Sequence, residues 1–122
     1  SLLVAMTGNE IVGYQFAERI KSALIIGSKM LLVLETLKKS EFEGAKKVMV
    51  AFLDALSTET GLALNATRMK EFELVEDKLE QVRRRIEEGD FEEAHATLGA
   101  AVSHTTTACE RTMRALMEKG LI

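Results

Sequence analysis

Six apolar residues, Met69, Phe72, Val75, Leu79, Val82 and Ile86, follow one another at steps of 3, 3, 4, 3 and 4. That spacing suits one face of an α-helix and no β-strand. A stripe of this kind is stable only when a second helix covers it. The next stretch, Ile86–Leu98, reads I-E-E-G-D-F-E-E-A-H-A-T-L, which is a chain reversal followed by a new helix. Gly89 suits the left-handed residue just past a helix end. Asp90 can cap the following helix, and Glu93 can reach back to complete a capping box. Phe91, Ala94, Leu98, Ala101 or Val102, Thr105, Cys109, Met113 and Leu116 carry the new stripe, and Gly120 is placed to end it.

The rest of the chain permits the same architecture throughout. Proline is absent, where average usage would give about six. Since a proline inside a helix costs about 3 kcal/mol, its absence fits a chain that is helical almost everywhere. An earlier echo of the turn lies at Leu37–Met49, at an offset of 49: Val33 matches Val82, Phe42 matches Phe91, Glu43 matches Glu92 and Ala45 matches Ala94. Two heptad patterns partly align at any multiple of seven, so duplication of a hairpin and independent use of one turn solution both stand. The string G-D-F-E-E-A resembles the inter-helix turn of tetratricopeptide-type hairpins. The likeness covers those residues alone, and without the 34-residue repeat the family is not carried over.

Thr7-Gly8-Asn9-Glu10 offers a capping box for a long first helix ending near Lys38–Lys39. Phe16, Ile20, Ala23, Gly27, Met30, Leu34 and Leu37 follow helical spacing as its core stripe. Ten of the fifteen residues from Ala23 to Leu37 are apolar, whereas a helix facing one core needs about three in seven. A second buried face is therefore expected, formed by Leu24, Ile25, Ile26, Leu31, Leu32 and Val33. The simplest partner for it is another copy of the chain. Lys21, Lys29 and Glu35 interrupt the segment, so it is not expected to cross a membrane.

Ser40-Glu41-Phe42-Glu43 reads as the capping box of a second helix, with Phe42, Ala45, Met49, Phe52 or Leu53, and Leu56 inward. The apolar positions after that, Leu62, Met69, Phe72 and Val75, slip by about half a turn. A break is therefore expected within Ser57–Leu64, where Gly61 and a Ser/Thr cluster lie. The fold class is all-α: a single domain over 1–122, with four helices at roughly 8–39, 41–57, 64–88 and 91–119. They form two antiparallel hairpins of a bundle, completed as an intertwined or side-by-side homodimer. Residues 1–6 are expected to be disordered or extraneous to the fold, with Met6 as a native start.

Composition narrows the function classes. The net charge is −3, and neither half has the basic excess of a nucleic-acid binder. The single cysteine, Cys109, excludes an internal disulfide. With no signal peptide visible, the expected location is cytoplasmic. Scarce Asn and Gln beside 29% charged residues give a thermophile-like composition.

Four constellations could carry chemistry. Glu92 and His95 form E-x-x-H, the spacing of di-iron helical bundles, but the corresponding residues in the echo are Glu43 and Lys46, so the second histidine is missing. They remain the weak metal candidates. Glu73/Glu76 and Glu87/Asp90 have the spacings that all-helical nucleotide pyrophosphatases use for magnesium, although the second pair straddles Gly89. Arg83, Arg84 and Arg85 spread around a helix among acids and read as a solvated face. Gly99 to Ala108 is a small-residue zone suited to close packing, or to a polar pocket lined by Thr105, Cys109 and His104. No catalytic residue, and no cofactor, is assigned; an enzyme is disfavoured. The expected function is a non-enzymatic helical scaffold or protein-interaction domain. Its expected partners are itself and an unnamed protein, not nucleic acid or membrane. The alternative is a metal-dependent or small-ligand bundle using carboxylates near Glu92 and His95.

Overall fold

The computed structural model describes the backbone of residues 2–122 and the side chains of residues 8–122. It has four helices, α1 (Leu2–Leu34), α2 (Lys39–Thr67), α3 (Lys70–Glu87) and α4 (Phe91–Glu118). Each packs on its neighbours in sequence, and α1 also packs on α4. The bundle is therefore a closed ring of four. Contacts fix the direction of each pair. Along α2 and α3, Lys46 meets Glu87, Asp54 meets Arg83, and Gly61 lies against Glu76. Between α1 and α4, Glu10 pairs with Lys119, and Gly27 lies near Leu98. Numbers rise on one helix as they fall on the next, so all neighbours are antiparallel.

The core follows the heptad logic. On α3 the stripe Met69 to Ile86 is buried as expected. On α2 the buried residues are Met49, Leu53, Leu56, Thr60, Ala63 and Thr67, an unbroken 4, 3, 4, 3, 4 progression. This corrects the expected break within Ser57–Leu64. The helix runs through because threonines continue the stripe: Thr60 Oγ1 donates to the Leu56 carbonyl at 2.8 Å and Thr67 Oγ1 to that of Ala63 at 2.8 Å. Each hydroxyl is satisfied inside its own helix, so it can be buried at low cost. Gly61 does not end the helix; it faces α3, with Glu76 Oε1 2.9 Å from where a Cβ would stand. The reversal comes later, at Arg68, whose φ of 58° is left-handed and whose N–H donates to the Leu64 carbonyl.

The two capping boxes at the front of the chain are also corrected. Helix α1 is already under way at Leu2, so residues 2–6 belong to it. The Asn9 and Glu10 side chains are engaged elsewhere: Asn9 Nδ2 donates to the Thr67 carbonyl and Glu10 pairs with Lys119. Helix α1 stops at Leu34, short of Lys38–Lys39, and Thr36 Oγ1 donates to the Val33 carbonyl at 2.7 Å. That bond favours a turn over continued helix. Helix α2 then begins without a side-chain cap, after Lys38, and Lys39 is left-handed at φ 56°.

The second turn is built as the sequence implies. Gly89 has φ +75°, its N–H donates to the Ile86 carbonyl, and the Asp90 N–H donates to that of Arg85. This is the Schellman closure. Asp90 Oδ1 accepts from the Glu93 N–H at 3.2 Å. Glu93 does not return the favour, because the Asp90 N–H is already used. What recurs at an offset of 49 is thus the apolar register and not the turn chemistry. The two matched phenylalanines, Phe42 and Phe91, meet each other edge to face, with ring centroids 5.9 Å apart.

Candidate interaction surface

The long apolar run of α1 has one set of residues in the core and another exposed, and the division differs from the expected one. Leu24 and Leu31, assigned to a partner-facing surface, are 0% exposed and belong to the bundle core with Ala17, Ile20 and Leu34. The buried stripe steps 3, 4, 3, 4 through Ala17, Ile20, Leu24, Gly27 and Leu31. Gly27 lets α2 in, since a Cβ there would lie 3.2 Å from the Phe52 ring. The other four residues of that assignment, Ile25, Ile26, Leu32 and Val33, are exposed. At about 100° per residue, Ile26 and Val33 stand on the α2 side of the helix crest, and Ile25 and Leu32 on the α4 side.

The α2 side is the built surface. Ala23, Ile26, Met30 and Val33 make a second heptad stripe on α1, extended by Leu37 in the turn beyond it, and Ala45, Val48, Phe52 and Ala55 make its counterpart on α2. A groove of about 380 Å³ opens between them, lined by Met30, Val33, Leu34, Leu37, Ala45, Val48 and Met49. A shallower depression continues it along Ala23, Phe52 and Ala55 to the Arg19–Glu59 ion pair. Ile26, Val33 and Val48 are 54%, 60% and 64% exposed. No charged side chain lies on this face between Arg19/Glu59 at one end and Lys38, Lys39 and Glu41 at the other. The α2 half was missed in the sequence because Ala45 and Phe52 read equally well as core. The signal that could have found it is Val48 at an outward position, flanked by Gly44, Ala51 and Ala55.

The other candidates are placed as follows. His95 faces Glu35, with Nε2 3.4 Å from Glu35 Oε1, whereas Glu92 is exposed one turn earlier. Lys46 stands beside Glu43 and Glu87 and over the Phe42 ring. Glu73 and Glu76 lie near the start of α3, and Glu87 and Asp90 at its far end, so the two carboxylate pairs do not converge. Among the described residues, no three His, Cys, Asp or Glu side chains cluster as metal ligands. Arg83 bonds Asp54 and Arg85 bonds Glu88, and both arginines are solvated.

The small-residue zone of α4 packs closely. Thr105 Oγ1 donates to the Val102 carbonyl at 2.7 Å, and Thr112 Oγ1 to that of Ala108. Cys109 is buried, and that burial, with the Glu18 carboxylate beside it, pushes its thiol up to about 11. Thr105 and Cys109 thus face the packed interior, while His104 is half-exposed. No helix of the described residues is long and apolar enough to cross a membrane. Set beside known proteins, the chain matches no family model, no curated protein and no solved structure.

Proposed function

We propose that this chain is a non-enzymatic helical scaffold, an interaction module that works as a homodimer through the α1/α2 face. One observation carries the reading: a second pair of heptad stripes on adjacent helices, apolar and uncharged over its whole length, with no cover among the described residues. Soluble monomers rarely leave a contiguous apolar patch of more than a few hundred Å² exposed. Ala23, Met30, Ala45 and Phe52 lend one side to the bundle core, whereas Ile26, Val33, Val48 and Ala55 stay exposed and are surplus to folding. A single reduced cysteine suits a cytoplasmic setting. Light scattering at micromolar concentration tests the reading. The native chain is expected at twice its formula mass, and the Val33→Glu/Val48→Glu double variant at the monomer mass with unchanged helicity. A monomeric native chain would refute it.

A further inference from the structure

We infer that the second copy docks antiparallel on the α1/α2 face, with α1 against α1 of the partner and α2 against α2. The twofold axis passes between Lys29 and Met30 on α1 and between Met49 and Val50 on α2. This rests on the homodimer reading and adds its geometry.

The register of the hairpin puts those two points level. Gly27 lies under Phe52, and Met30 and Val33 share a groove with Ala45 and Val48. Residue numbers at one level therefore sum to nearly the same value along the hairpin, and the middle of the α1 stripe lies beside the middle of the α2 stripe. Reversing the face about that level exchanges Ile26 with Val33, Val48 with Ala51, and Gly44 with Ala55. The α1 exchange places branched apolar on branched apolar, and the α2 exchanges place Val48 over Ala51 and Gly44 over Ala55, so the one larger α2 side chain meets a small one. A face with that symmetry is complementary to its own reversed copy, as an isologous interface must be.

Charge agrees with the antiparallel choice. The tip end carries Lys38, Lys39 and Glu41, and the far end carries Arg19 and Glu59. An antiparallel copy brings Lys39 level with the partner's Glu59, both on α2. Lys29 sits at the rim, where its methylene stem can lie along apolar surface and its ammonium in water.

Size is sufficient. From Glu41 to Glu59 the α2 stripe runs about 27 Å. With helices about 8–10 Å apart, the two-helix face projects roughly 500 Å². Two such faces reach the total of about 1,000 Å² at which specific interfaces begin. Gly44 has nothing within 4 Å of where a Cβ would stand, so the partner's α2 can come close along Gly44, Ala51 and Ala55.

Oxidative cross-linking of the full chain tests the arrangement, with the native chain as a control because Cys109 is buried. Ile26→Cys and Val33→Cys proteins are mixed, oxidised and separated by mass; Gly44→Cys with Ala55→Cys is the second pair. Circular dichroism and light scattering on every variant confirm fold and assembly. Antiparallel docking places Ile26 opposite Val33 but separates the two copies of Ile26 by about 10 Å along the axis, beyond disulfide reach. The mixed species is therefore expected to exceed either self-linked species by at least ~10-fold. A dimer that links Ile26 to Ile26, or that forms no link in either pair, overturns the docking and leaves the homodimer standing. A monomer overturns both.

Discussion

Cys109 shows how a single side chain records its surroundings. The bundle withdraws it from water and sets the Glu18 carboxylate beside it, so the thiolate is disfavoured and the thiol titrates at about 11 instead of 9.0. The unfolded chain then loses its proton first as pH rises from 9 toward 11. The stability this group contributes is fully present below pH 9 and is lost through that window, at up to about 1.4 kcal/mol per pH unit. Urea unfolding at pH 8 and pH 10.5 should show a steeper loss for the native chain than for Cys109→Ala. Equal slopes would contradict this account. At this scale much of the candidate surface was hidden in the sequence. Leu24 and Ala23, or Leu31 and Met30, are neighbours about 100° apart, and both phases are apolar although one is fully buried and the other only packs against the core's edge. A pattern that serves two faces does not say which residue serves which.

The four chain segments differ in how their ends are secured. Helix α4 begins on Asp90, whose carboxylate accepts from the Glu93 N–H, and helix α2 begins on Lys38 with no side-chain cap. The string S-E-F-E resembled the string D-F-E-E in composition, yet only one is used. Asp90→Ala is accordingly expected to cost about 0.5–2 kcal/mol. Ser40→Ala should change stability by less than about 0.5 kcal/mol. Denaturant midpoints distinguish the two, and an equal loss in both variants would restore the capping box at Ser40. The end of α2 was misplaced for a related reason. Thr60 and Thr67 do not look like core residues, because their polarity is visible in the sequence and their back-bonding to Leu56 and Ala63 is not. The third and fourth helices were legible almost to their ends, since their glycine, cap and aliphatic stripe all indicate the same boundaries.

For the molecule as a whole, composition and period were enough for an all-helical bundle of two hairpins, and the structure has that form. They could not supply the ring. Three of its four helix contacts join neighbours in sequence, and only α1 against α4 joins the two hairpins across the chain's length. That closure runs from Glu10–Lys119, through the notch where Gly13 admits Met69 and Thr112, to Glu35–His95. Its consequence is kinetic. Contacts between adjacent helices need little loop entropy and form early, whereas a contact spanning the chain must wait until both hairpins exist. The α1–α4 seam is then the last step of folding and the first route of opening. Native-state hydrogen exchange should find the amides of α1 and α4 along this seam opening together, at a lower free energy than the centre of α3. Uniform protection across all the helices would mean that the ring opens only as one unit.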